Sequence, residues 1–156
     1  MPEIRIEIPG LPPSGNHYKN YRVVVPRRGK RIAAAVRAAP HDKNYRVVVP
    51  RRGKPIVLWY LTPKAKAWFR DVAILARGQK IRGETYSVSF VVFLPDARTR
   101  DVDNFFKCIL DAMAETHGCG VIDDDKRVVG VHGYRRIDRT NPRTVVVVRT
   151  AQKELL

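Results

Sequence analysis

The stretch DVDNFFKCILDAM, residues 101–113, combines a clear helical pattern with carboxylates at its start. Its apolar residues recur every three or four positions, which predicts a helix over 101–117 with one face on the core. That face consists of Val102, Phe105, Phe106, Ile109 and Met113. Asp101 falls at the N-cap or in the first turn, and Asp103 and Lys107, four residues apart, share a neighbouring face.

Acidic side chains at a helix start lie beside free backbone N–H groups and the positive end of the helix dipole, which favour negative charge. Carboxylate oxygens are also the ligands that Mg²⁺ takes in proteins, usually one or two of them with waters and substrate phosphate oxygens. A second acidic group, Asp123–Asp125, follows in the sequence GVIDDDKRV. If the strands before and after the helix pair in the sheet, that loop returns near the helix start. The two groups together therefore predict a cation site.

The whole chain is strongly basic, with 30 Lys and Arg residues, 15 Asp and Glu residues and a formal net charge of +15. Such a surface attracts polyanions, most commonly nucleic acid. The sequence has no basic amphipathic helix or long apolar run that would predict a membrane partner, and MPEIRIEIPG lacks the apolar core of a signal peptide. Two cysteines imply no disulfide framework, so we expect a cytoplasmic protein. A basic body with a carboxylate cation site predicts a nuclease.

The pattern outside this stretch predicts one α/β (α+β) domain over 1–156, in which helices pack on a mixed sheet. Strands are predicted by apolar runs and alternation at 4–8, 85–94, 127–136 and 143–149. A further helix is predicted over 62–77, with Thr62 as its N-cap and Gly78 as its C-terminal stop. Its apolar face is expected to contain Ala65, Trp68, Phe69, Val72 and Leu75.

The segment KNYRVVVPRRGK occurs twice without change, at 19–30 and at 43–54. Structural repeats usually keep a pattern while their residues drift, so this identity indicates a tandem duplication rather than a solenoid. Removal of 19–42 would still leave a coherent chain, and we therefore interpret 19–42 as an inserted copy. Each copy is expected to form a strand that ends at a Pro-Arg-Arg-Gly turn.

Three segments resemble signatures of the RusA-type Holliday junction resolvases: PPSGN at 12–16, RDVDNFFKCILDAM at 100–113 and GVIDDDKRV at 120–128. Their order and spacing also match, and the resemblance covers the chain to about residue 136, apart from 19–42. It implies a small homodimeric endonuclease of bacterial or phage origin that cuts four-way DNA junctions. It also implies dependence on Mg²⁺, with Mn²⁺ as an accepted substitute.

The resemblance assigns roles position by position. The catalytic residues it implies are Asp101, Asp103, Asp125 and Lys107. The metal-binding carboxylates it implies are Asp101, Asp103, Asp124 and Asp125. The family pattern needs two acids where this chain has three, and counting back from Val128 leaves Asp123 as the additional one. The expected DNA contacts are Ser14, Asn16, Arg51, Arg52 and Arg100.

Simpler interpretations exist for individual residues. Asp101 alone could serve as a helix cap, and Lys107 could be the i,i+4 ion-pair partner of either Asp103 or Asp111. Residues 123–125 could form a solvated turn. His117 and Cys119 invite a zinc interpretation, which two ligands without a second pair support poorly.

The alternative for the whole chain is a non-catalytic nucleic-acid-binding protein, because a charge of +15 predicts polyanion binding by itself. The two hypotheses differ in whether Asp101, Asp103 and Asp125 lie together in the fold.

Overall fold

The computed structural model describes residues 2–14, 19–24, 46–47, 56–98, 100–115 and 118–151, and for 19–24, 46–47 and 56–60 it describes the backbone alone. Three predicted DNA contacts, Asn16, Arg51 and Arg52, lie outside these residues, as does His117.

The main sheet has four strands: β1 (Glu3–Pro9), β5 (Thr85–Leu94), β6 (Val128–Ile137) and β7 (Arg143–Ala151). Their order across the sheet is β1-β7-β5-β6, with β5 and β6 parallel and the other two pairs antiparallel. The predicted mixed sheet is therefore confirmed, and the strands lie within a residue or two of the expected positions.

Strand β5 is central in this sheet, and its sequence shows why. Tyr86, Val88, Phe90, Val92 and Leu94 are all buried against the helices, while the residues between them are half-buried. This period of two places every second side chain on the core face, as expected for a strand that is covered on one side. The strand thus anchors both neighbours, antiparallel β7 and parallel β6.

The first helix, α1 (Pro63–Leu75), begins as predicted, because the Thr62 hydroxyl oxygen accepts a hydrogen bond from the Ala65 N–H at 3.3 Å. Its buried residues are Ala65, Trp68, Phe69 and Val72. The expectation that Leu75 completes this face is wrong, since Leu75 remains 41% exposed and Ala76 is buried in its place. Both residues lie one turn beyond Val72, and the helix orients the second of them towards the core.

The second helix, α2 (Asp103–Met113), is shorter than the predicted 101–117. Its N-cap is Val102, which has no side-chain cap hydrogen bond, so the expectation that Asp101 lies at the cap or in the first turn is also wrong. At the other end the chain folds back over the helix: a Cβ added to Gly118 would come within 1.9 Å of the Ala112 carbonyl oxygen. The helix itself ends at Met113, because Ala114 has an extended backbone with φ −74° and ψ 149°.

The predicted apolar face of α2 is confirmed in part. Phe105, Ile109 and Met113 are buried, while Val102 and Phe106 are half-buried. The last two pack over Gly133 on β6, which is an edge strand of the sheet.

A smaller sheet is formed by β2 (Lys19–Val24), β3 (Arg46–Val47) and β4 (Ile56–Leu61), in the order β2-β4-β3. The two copies of the repeat thus pair antiparallel with opposite edges of β4. Their registers differ by one residue, because Arg22 lies opposite Leu58 and its equivalent, Arg46, lies opposite Trp59.

The helices and the main sheet share one hydrophobic core, which gives a single α+β domain. Helix α1 packs on β1 and β4, and α2 contacts α1 and β6. In the described part of the chain, no helix has the length and apolarity needed to cross a membrane.

Candidate active site

The candidate site lies along the exposed side of α2. Asp101 and Asp103 are exposed at the start of the helix, and Lys107 follows one turn later. A short 3₁₀ turn, Asp125–Arg127, lies beside α2 just before β6. The loop that leads to it is fixed on the end of the helix by four backbone hydrogen bonds. They are Gly118 N–H to the Ala114 carbonyl at 2.8 Å, Cys119 N–H to the Ala112 carbonyl at 2.8 Å, Ile122 N–H to the Met113 carbonyl at 3.1 Å and Glu115 N–H to the Ile122 carbonyl at 2.9 Å.

Lys107 joins the two parts of the site. Its Nζ lies 2.7 Å from Oδ1 of Asp111 and 3.3 Å from Oδ2 of Asp125. The sequence left Asp103 and Asp111 open as i,i+4 partners, and the ammonium group pairs with Asp111. The expected return of the acidic loop thus brings Asp125 to Lys107, in the middle of the helix. Burial lowers the pKa of Lys107, but the bonds and charges of Asp111 and Asp125 together outweigh it and raise this pKa above its ordinary value.

The three consecutive aspartates have different partners. Asp123 accepts hydrogen bonds from Arg127 Nη1 and from the Tyr86 hydroxyl group. Although partial burial opposes the change, these partners and the neighbouring backbone lower the pKa of Asp123. Asp124 caps the 3₁₀ turn by accepting from the Lys126 N–H at 2.9 Å, the main cause of its lowered pKa. Asp125 points to Lys107, an arrangement that favours it over Asp123 as the carboxylate of the site.

The loop before α2 contains Arg100, which was expected to contact DNA. Its guanidinium binds both carboxylate oxygens of Asp96, at 2.7 and 3.1 Å. This bidentate pair lowers the pKa of Asp96 and raises that of Arg100. The main-chain oxygen of Arg100 accepts a hydrogen bond at 3.0 Å from Arg135 of β6, which fixes the chain immediately before Asp101.

Ser14 is half-buried after the two buried prolines that follow β1, and the structure gives it no further role.

The described residues contain no group of three or more His, Cys, Asp or Glu side chains spaced to hold a metal ion. The carboxylates of the site are accordingly spread, with Asp101 and Asp103 at the helix start and Asp125 at Lys107. They are nevertheless hard oxygen donors, and Mg²⁺ in nucleases is commonly bound by one or two carboxylates together with waters and substrate phosphates. The donor chemistry therefore fits a hard divalent cation, and the metal assignment stays a prediction.

Sequence reasoning missed two contacts at the site, the Arg135 hydrogen bond and the Tyr86 hydroxyl group, and it left Asp111 as one of two possible partners of Lys107. One signal was available for Asp111, because it lies among Cys108, Ala112 and Met113, which are buried on the same helix. The other two come from strands far away in sequence, and no local pattern indicates them.

The fold and the site define a basic α+β domain with a carboxylate–lysine site on the exposed side of a helix. The family model of endodeoxyribonuclease RusA matches residues 13–149, and the chain therefore belongs to the RusA family. This confirms the resemblance seen in the three sequence segments.

One relative is the crossover junction endodeoxyribonuclease RusA of Aquifex aeolicus (strain VF5), which is 32% identical over 66 residues. The match covers 42% of this chain and 50% of that protein. The chain thus spans about half the length of the curated relative that it matches.

Proposed function

We propose that this protein is a structure-selective endodeoxyribonuclease that resolves Holliday junctions by Mg²⁺-dependent phosphodiester hydrolysis. The observation that carries the proposal is the match of the RusA family model over residues 13–149. The name of the Aquifex aeolicus relative adds the substrate class, because it describes a crossover junction endodeoxyribonuclease.

DNA is also a binding partner that the net charge of the chain fits. The formal net charge of +15 favours a polyanion, and its binding should weaken steeply with salt as counterions are released. Resolution needs two nicks placed symmetrically, and a two-fold homodimer would present two equivalent sites to a two-fold junction. We accordingly propose a homodimer that works in the cytoplasm of a bacterium or of a phage-infected bacterial host.

Asp101 and Asp103 on one side, with Asp124 and Asp125 on the other, are the residues we propose to hold Mg²⁺, or Mn²⁺ in its place. When bound, the ion supplies Lewis-acid polarisation of the scissile phosphate and activation of the attacking water. Phosphate and carboxylate repel each other, so acids at a DNA-binding surface make sense if a divalent cation neutralises them.

The chain's own residues do the remaining work. The ammonium group of Lys107 carries a full positive charge one turn after Asp103, where it can stabilise negative charge that develops on the phosphate. Asp103 lies one turn before Lys107 and Asp125 pairs with it at 3.3 Å, so the ammonium group also offsets the negative charge of these carboxylates beside the phosphate. By analogy with the family, the products are 5′-phosphate and 3′-hydroxyl ends.

The test is cleavage of a synthetic four-way junction, followed on a denaturing gel with Mg²⁺ or with a chelator. Symmetric nicks that need the ion are expected, with a linear duplex of the same sequence left uncut. Asp103→Asn should abolish cleavage and leave junction binding intact. Asp71→Asn on α1 is the matched control, because it makes the same chemical change at a half-buried carboxylate outside the site. Undiminished cleavage by Asp103→Asn would contradict the proposed role.

The alternative, a non-catalytic nucleic-acid-binding protein, is favoured by one observation: the described carboxylates do not form a three-ligand group. It predicts salt-dependent binding with no Mg²⁺-dependent cutting of junction, flap or duplex. The same gel assay therefore separates the two candidates.

A further inference from the structure

Asp111 has a buried carboxylate that pairs with an exposed lysine. Its side chain is only 1% exposed, whereas the Lys107 side chain that binds it is 59% exposed. Burial of a charged group is costly unless it is paired and hydrogen-bonded. The presence of a carboxylate at this buried position therefore indicates a role beyond packing. An apolar residue would continue the face formed by Cys108 and Ala112 at no such cost.

The contact between Asp111 and Lys107 indicates what that role is. Oδ1 of Asp111 lies 2.7 Å from Nζ of Lys107, the shorter of the two contacts that this ammonium group makes with the acids of the site. The Asp111 carboxylate is on a short, buried side chain of α2, whereas the Lys107 ammonium group is at the end of a long, flexible side chain with many rotamers. A fixed anion at one side of the ammonium group restricts those rotamers and leaves its other side directed at Asp125.

We propose that Asp111 is a positioning residue, whose buried carboxylate holds the Lys107 ammonium at the phosphate-facing side of the site. The inference rests on the proposed nuclease function and assigns no contact between Asp111 and DNA. It predicts that Asp111 affects cleavage through Lys107 and leaves DNA affinity alone.

The central experiment is a double-mutant cycle with Asp111→Asn, Lys107→Met and the double variant. Asparagine keeps the size of the side chain and one acceptor oxygen but loses the charge. We expect Asp111→Asn to slow single-turnover junction cleavage about 10- to 100-fold, the usual effect of losing an outer partner of an active-site group. Its dissociation constant for the junction should stay within about twofold of the parent protein, a far smaller change than loss of a phosphate contact produces. In the Lys107→Met background, the same substitution should cause little further loss.

A second readout does not depend on activity. Acylating reagents attack neutral amines, so an ammonium group held in two ion pairs is labelled slowly. Mass spectrometry of the labelled protein should show faster labelling of Lys107 in Asp111→Asn, with exposed Lys64 on α1 as the internal reference. If the parent protein fails to cut the junction while this change in labelling occurs, the nuclease proposal fails and the anchoring of Lys107 stands.

Two cleavage results would overturn the inference. One is a cleavage rate of Asp111→Asn equal to that of the parent, and the other is an equal loss in the presence and absence of Lys107. Should Asp111→Asn fail to fold, Asp111→Glu serves instead, because it keeps the charge and displaces the carboxylate by one methylene group. Failure of both variants to fold would also overturn the inference, since it would assign Asp111 to core stability alone.

Discussion

Gly133 on β6 offers a direct test of how the sheet positions the start of α2. A Cβ added there would lie 2.5 Å from the Phe106 ring, 2.6 Å from the Phe90 ring and 2.7 Å from Cγ1 of Val102. These distances are below any normal carbon–carbon contact, so Gly133→Ala must displace at least one neighbour. Phe90 is 1% exposed and packs edge-to-face against Phe106 at 5.0 Å, which leaves the rings little room to move.

Overpacking of this kind typically costs about 1–3 kcal/mol. Replacing glycine by alanine also removes freedom from the unfolded chain, which offsets about 0.4–1 kcal/mol of that cost. The midpoint of these ranges is a net loss of about 1.3 kcal/mol, with about 2.6 kcal/mol as the upper bound. The midpoint loss should lower the melting temperature by roughly 3–5 °C for a domain of this size. Val102 is the N-cap residue between Asp101 and Asp103, so the displaced helix start should also slow junction cleavage beyond the loss of folded protein.

Thermal unfolding of Gly133→Ala beside Gly130→Ala provides the matched comparison. Gly130 lies on the opposite face of the same strand, where an added Cβ would meet atoms only at 3.6 and 3.7 Å, ordinary contact distances. Gly130→Ala should therefore be neutral or slightly stabilising. Equal melting temperatures for the two variants would refute the argument that the start of α2 packs on the sheet at Gly133.

Three further predictions concern other parts of the molecule. Deletion of 19–42 should change the unfolding free energy by no more than about 1 kcal/mol and preserve cleavage, because the identical copy at 43–54 can take the place of β2 beside β4; an unfolded product in circular dichroism would contradict it. Asp125→Asn should abolish junction cleavage in the gel assay, whereas Asp123→Asn should lower the melting temperature and leave cleavage measurable; the reverse result would exchange their roles. Asp138 has a pKa lowered from 3.8 to about 2, chiefly by Arg143, so it stabilises the fold above pH 3.8, and this contribution disappears as the pH falls through about 2. The melting temperatures of Asp138→Asn and the parent should accordingly differ above pH 4 and converge near pH 2; a constant difference would contradict the ion pair.

The parts of the fold that local signals determine were predictable from sequence. The alternation of β5 and the Thr62 cap of α1 each depend on residues a few positions apart, and both appear as expected. After α2 the chain turns back so that Gly118 lies against the Ala112 carbonyl, a contact between the loop and the end of the helix. The pattern of apolar residues carries no information about that return, and the predicted helix was therefore too long.

The candidate site also has features that the local sequence predicts and features that depend on contacts between distant segments. Asp103, Lys107 and Asp125 could be found from residue type and spacing, because they lie in two short sequence motifs, one at 100–113 and the other at 120–128. The acid that pairs with Lys107 could not be found in this way, since Asp103 and Asp111 are equally spaced from it and only the fold shows that the buried Asp111 is the partner. The choice among the three consecutive aspartates depends likewise on Tyr86, which belongs to a different strand.

The pairing of Lys107 with Asp111 also changes how substitutions of the lysine should be interpreted. Removing the ammonium group leaves a buried carboxylate without that cation, so Lys107→Met lowers stability as well as transition-state stabilisation. A loss of activity in that variant alone therefore does not measure catalysis. In the double variant with Asp111→Asn both charges are absent, and the cost of the buried anion is removed. If the double variant recovers the melting temperature of the parent but not its cleavage rate, the loss of cleavage comes from the missing lysine and not from unfolding.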